Sequence, residues 1–114
     1  MVASNRVRRI SMAVQVELAK IIQHEISDNR LKTLTITSVD VARDLSLAKI
    51  YFVTHAENDS EQMKRLVALL SKAAHFLRRR LAQKIELRVI PKLHFCYDTS
   101  EITGRRIDDL LKNI

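Results

Sequence analysis

Gly104 and Pro91 are the only glycine and the only proline in 114 residues, and that scarcity limits the fold more than any other feature. Sandwiches and barrels reverse direction every few residues, largely on glycine and proline. A chain with one of each is expected to build long helices and a few strands instead. The length suits one domain with a single core. Hydrophobic residues at 46% and charged residues at 29% are an ordinary globular balance, which argues against disorder. Cys96 is the sole cysteine, so an intramolecular disulfide and a cysteine zinc cluster are both excluded, in keeping with a cytoplasmic setting.

Apolar periodicity places the elements. Val7, Ile10, Val14, Leu18, Ile21 and Ile22 recur at the three-and-four spacing of an amphipathic helix from Arg6 to about Ile26. A basic amphipathic start is also what a transit peptide looks like, but the stripe continues past Glu17 and Glu25, which favours a folded helix. No uninterrupted apolar run marks a membrane span. The helix is expected to stop near Asp28, Asn29 and Arg30, with Asn29 able to take a left-handed conformation. Leu34 to Ala42 and Leu47 to His55 read as strands joined through Arg43 to Ser46. The apolar parity slips between Ile36 and Val39, so a bulge is expected near Ser38.

Asp59 and Gln62 have capping-box spacing for a second helix. Its apolar stripe is Met63, Leu66, Val67, Leu70, Ala74, Leu77, Leu81 and Ile85, roughly six turns. Leu87 to Tyr97 alternates as a third strand, with Pro91 suiting a sheet edge or a bulge. From Asp98 onward, Ile107, Leu110, Leu111 and Ile114 are in helical register for a short closing helix. The order helix, strand, strand, long helix, strand, short helix implies an α+β domain with helices on one face of a three-stranded sheet.

The formal charge of +7 and the pI near 10.0 call for a polyanionic partner. The charge is concentrated. Residues 1 to 16 carry Arg6, Arg8 and Arg9 and no acid. Residues 71 to 92 carry Lys72, Arg78, Arg79, Arg80, Lys84, Arg88 and Lys92 against the single acid Glu86. Guanidinium forks match phosphate oxygens, so the reading is nucleic acid, with an anionic membrane surface as the weaker variant and a merely solvated helix face as the bland one. Aromatic residues are few and mostly follow core parity, so backbone and shape contacts are expected to outweigh base stacking.

Enzymatic chemistry finds little support. His24, His55, His75, His94, Asp40, Asp44, Cys96, Ser71 and Ser100 form no HExxH helix, glycine-rich phosphate loop or nucleophile elbow. His94 and Cys96 share a strand face, but two ligands do not make a metal site. No cofactor motif is present.

The segments Arg6-Val-Arg-Arg9, Val41-Ala-Arg-Asp-Leu45 followed by Ala48-Lys-Ile-Tyr51, Leu87-Arg-Val-Ile-Pro-Lys-Leu-His-Phe95, and Asp98-Thr-Ser100 leading to Gly104-Arg-Arg-Ile-Asp-Asp-Leu-Leu111 resemble ribosome-binding factor A, in order over nearly the whole chain. The resemblance implies one type II KH-like RNA-binding domain over residues 1–114, with no catalytic activity. It also implies binding to the small (30S) ribosomal subunit and its 16S rRNA during late assembly and rRNA processing, with a link to growth in the cold. It suggests a monomer, with assembly GTPases as candidate cooperating partners. The family replaces the GxxG loop of ordinary KH domains by a helix kink at alanine, any residue, glycine, which falls here on Ala73, Ala74 and His75. His75 thus stands at the glycine position, between Lys72 and Arg78, where it could itself meet phosphate. Asn29 stands where a proline is expected. The alternatives are a general KH-type RNA binder or RNA chaperone without ribosome preference and, further off, a small α+β enzyme.

Overall fold

The computed structural model describes residues 5–54 and 60–98. Its elements run α1 (Asn5–Glu25), α2 (Asn29–Lys32), β1 (Leu34–Val41), β2 (Leu47–Thr54), α3 (Ser60–Lys84) and β3 (Lys92–Tyr97). The strands form one sheet in the order β1-β2-β3, with β1 and β2 antiparallel and β2 and β3 parallel. The parallel pair needs a crossover, and α3 supplies it. This is the α+β arrangement that the element order implies, and it is consistent with the KH-like fold that the resemblance implies.

Helices α1 and α3 bury their apolar stripes against the sheet. Val7, Ile10, Val14, Leu18, Ile21 and Ile22 of α1 are all buried, as are Leu66, Leu70, Leu77 and Leu81 of α3. From the sheet, Ile36, Val41, Ala48, Ile50, Phe52 and Phe95 meet them. Tyr97 sits edge-on to Phe52, ring centroids 5.9 Å apart, a favoured aromatic geometry. Thr35, Ser38, Asp40, Lys49 and His94 occupy the other, exposed parity of the strands, so the sheet is polar on its outer side. The bulge falls where the parity slip placed it. The register shifts between Ile36 and Ser38, leaving Thr37 as the extra residue, whose hydroxyl lies 2.5 Å from the Asp98 carboxylate.

With so little glycine, the chain turns by other means. Between β1 and β2 the Asp44 carboxylate accepts from the backbone N–H of Ser46 at 3.1 Å and from its hydroxyl at 2.6 Å, and Leu45 takes φ 62°. A left-handed leucine costs on the order of 1 kcal/mol, which packing of its side chain against the core helps to offset.

Three boundaries differ from the sequence expectation. First, Asn29 is not a left-handed helix stop; among the described residues only Leu45 has positive φ. Asp28 instead caps a new one-turn helix, its side chain accepting from the Arg30 N–H at 2.9 Å, which competes successfully with continuation of α1. Second, β3 begins at Lys92, not Leu87. Pro91 has no N–H and restrains Ile90 before it, so the ladder opens only with Lys92 N–H to the Ser46 carbonyl at 3.0 Å, and Val89 is 66% exposed. Third, α3 ends at Lys84, and Ile85 adds one last backbone bond to Leu81. Ala73, Ala74 and His75, the expected kink, all fall inside the helical span of α3. Asp59, His55, Ser100 and the expected closing helix lie outside the described residues.

Candidate nucleic-acid interface

A continuous α3 sorts its cations by angle. At 3.6 residues per turn, positions seven apart return to nearly the same ridge about 10.5 Å further along the axis. Lys72 and Arg79 are so related, and His75 lies between them; all three are exposed. Arg79 spreads over the Phe76 ring, its guanidinium carbon 5.9 Å from the centroid. That contact orients the group while leaving its charge in solvent. The same ridge continues toward the start of α3 through Arg65 and its neighbour Lys64, both exposed. Neither was among the candidates from the sequence, although the seven-residue spacing of Arg65, Lys72 and Arg79 is visible there. The ridge from Arg65 to Arg79 is roughly 21 Å long, with Ala68 between Arg65 and Lys72 presenting no bulk.

The flanking arginines do other things. Arg78 is half-buried and points back along the fold, donating from Nε to the Pro91 carbonyl at 3.1 Å and from Nη2 to the Ile90 carbonyl at 2.9 Å. Both carbonyls belong to the segment immediately before β3. Arg78 therefore positions the segment leading into β3, and with it the exposed Arg88 and Lys92, and its fork is already engaged. Arg80 donates from Nε to Glu25 of α1 at 2.5 Å and from Nη1 to Gln83. That hydrogen bond, with the positive charges of Arg80 and Lys84 adding to it, holds Glu25 below the usual carboxylate range and raises Arg80 in return. Glu86 was the only acid in sight along the sequence; the structure brings a second, Glu25, from 55 residues away.

Arg6, Arg8 and Arg9 are all exposed on the first turns of α1. The Ser11 hydroxyl accepts from Val41 N–H at 3.3 Å, placing this end of α1 beside the end of β1. From Arg9 to Glu25, where α1 meets Arg80, is roughly 24 Å along the helix. The two basic segments therefore do not converge on the Glu25–Arg80 contact. Lys84 closes α3 on another side of the helix from Lys72. Of the expected residues, the structure thus unites Lys72, His75 and Arg79, carries Arg88 and Lys92 on the segment whose carbonyls Arg78 binds, and leaves the α1 arginines as a patch of their own.

Among the described residues no group of three or more His, Cys, Asp or Glu could hold a metal ion, and no helix is long and apolar enough to cross a membrane. His94 and Cys96 stand on the outer face of β3, with no third ligand among the described residues.

The ridge on a KH-like frame can be set beside known proteins. A ribosome-binding factor A from Pseudomonas syringae is 40% identical over 108 residues, 95% of this chain and 78% of that protein. The crystal structure of ribosome-binding factor A from Thermus thermophilus superimposes with TM-score 0.70 at 27% identity, covering 80% of this chain and 93% of the other. A Thermus thermophilus ribosome binding factor A, a homology model fitted into the cryo-EM map of a 30S complex with that factor, matches with TM-score 0.63 at 27% identity over 78% of this chain and 91% of that one. The family model described as ribosome-binding factor A matches residues 6–111. Sequence, fold and family model agree, and the chain belongs to the ribosome-binding factor A family.

Proposed function

We propose that this protein binds the small ribosomal subunit through its 16S rRNA during late assembly and rRNA processing, as a single monomeric RNA-binding domain in the cytoplasm, without catalysis, and that it is needed most in the cold. The observation that carries this reading is the exposed ridge of Lys72, His75 and Arg79 on α3, in a family with a member fitted into a 30S complex. The ridge presents cations at roughly 10 Å intervals on a rigid helix, a spacing suited to phosphates on a folded RNA surface. Arg88 and Lys92, held in place by Arg78, extend the surface, and Arg6, Arg8 and Arg9 form a second contact. Lys84 contributes long-range attraction, whereas the charge of Arg80 is matched by Glu25. Recognition runs through RNA shape, since the ridge carries donors for phosphate and only Phe76 among aromatics. Assembly GTPases are its natural cooperating partners, acting on the same particle.

The second reading, a general RNA binder, is separated by competition. Fluorescently labelled protein bound to purified small subunits should resist a large mass excess of bulk cellular RNA. Equal displacement by subunits and by bulk RNA would leave the protein a binder without ribosome preference.

A further inference from the structure

Where α2 meets the first turns of α3, a cleft of about 260 Å³ opens, lined by Arg30, Thr33, Gln62, Arg65, Leu66 and Leu69. Its volume falls below the roughly 300–1,000 Å³ of sites for drug-sized ligands, so it suits one small planar group. Leu66 and Leu69 give it an apolar floor. Its rim carries two guanidiniums and one carboxamide.

Arg30 is the informative residue. Its Nε and Nη2 lie 3.1 and 2.8 Å from the two oxygens of Asp28, a two-point grip that fixes the plane of the group. Its side chain nevertheless remains 67% exposed. A guanidinium held flat, with its charge balanced and a face open, is a stacking surface more than a phosphate ligand. Arg65 is different in place: it heads the ridge that continues through Lys72 and Arg79. The cleft is therefore continuous with the proposed phosphate track and lies at its far end from the segment that Arg78 anchors.

We infer that this cleft receives one unpaired nucleotide of a single-stranded RNA segment. The base lies over Leu66 and Leu69 against the Arg30 plane. Gln62, which can both donate and accept, meets its edge. Arg65 takes the adjoining phosphate, and the strand then passes along α3. This inference rests on the RNA-binding reading, and adds a single-strand subsite to a surface otherwise read as binding shape.

The test uses the full chain, isotopically labelled, titrated by NMR with a short single-stranded oligoribonucleotide of adenosine and uridine and, separately, with a blunt RNA duplex. The single strand should shift the Gln62 side-chain amide and the Leu66 and Leu69 methyls, and the duplex should not. Arg30→Ala, with unchanged helical signal, should weaken single-strand binding roughly tenfold, the loss expected for one stacked base, and leave duplex binding alone. If the oligonucleotide moves Lys72 and Arg79 but leaves the cleft untouched, the subsite is wrong and the RNA-binding ridge stands. If neither region responds and small subunits fail to bind as well, both readings fall. Cleft signals that follow protein concentration and ignore RNA would make it a contact between copies and overturn the proposal.

Discussion

Reversing two charges on the ridge, Lys72→Glu with Arg79→Glu, should lower affinity for the small subunit about one hundredfold and leave unfolding free energy within about 0.5 kcal/mol. The two effects separate because both residues are exposed on α3 and neither carries a hydrogen bond that ties elements together. Each charge-assisted phosphate contact contributes on the order of 1.5 kcal/mol, or about tenfold, and reversal adds repulsion. The salt dependence should change as well. Losing two phosphate contacts should reduce the slope of log affinity against log salt by about 1.5. Cosedimentation across a salt series reads both quantities. A double variant that folds and binds with the parent's affinity and slope would show that the ridge is only a solvated helix face.

Arg78 should behave in the opposite sense. Arg78→Met keeps much of the aliphatic stem but removes both bonds to the Ile90 and Pro91 carbonyls, in a half-buried place where water replaces them poorly. The expected loss of stability is about 2–3 kcal/mol, measured by urea unfolding. Arg78→Lys offers a point charge in place of a fork and should recover only part of it. Binding should fall too, because Arg88 and Lys92 depend on the segment that Arg78 anchors, but only alongside the loss of stability. Substituting glutamate for all of Arg78, Arg79 and Arg80 would therefore confuse two causes, whereas Arg79 alone tests binding. If Arg78→Met is as stable as the parent and binds as well, the anchor has no role.

The two long helices, the first two strands and the bulge were legible because each is written in local periodicity. The six buried positions of α1 follow the helical spacing, and the slip between Ile36 and Val39 marked the extra residue at Thr37. What periodicity could not reveal was the partner of each cation. Arg78, Arg79 and Arg80 are equivalent in the sequence. The fold divides them, because consecutive helical residues point about 100° apart and so meet a proline segment, solvent and α1 in turn. Glu25 reaches Arg80 only through the packing of α1 against α3, a tertiary event with no local signal. The Leu87 to Ile90 stretch misled for a related reason. Its alternation matched a strand, but Pro91 withheld the N–H that a ladder needs, and Arg78 took the carbonyls. The one-turn α2 was readable in principle from Asp28 as a cap ahead of Leu31, yet a helix that short leaves no periodicity.

The outer ridge of α3 is expected to lie against rRNA of the small subunit. A photoreactive residue placed singly at Ala68 or Ala82, exposed small positions beside the ridge on α3, and for comparison at Thr35 on the outer side of the sheet, would test it most directly. After irradiation in complex with small subunits, the attached RNA is sequenced. Crosslinks to one confined region of 16S rRNA from the α3 positions, and none from Thr35, are the predicted result. Crosslinks from Thr35 with none from α3 would contradict it and move the interface to the sheet.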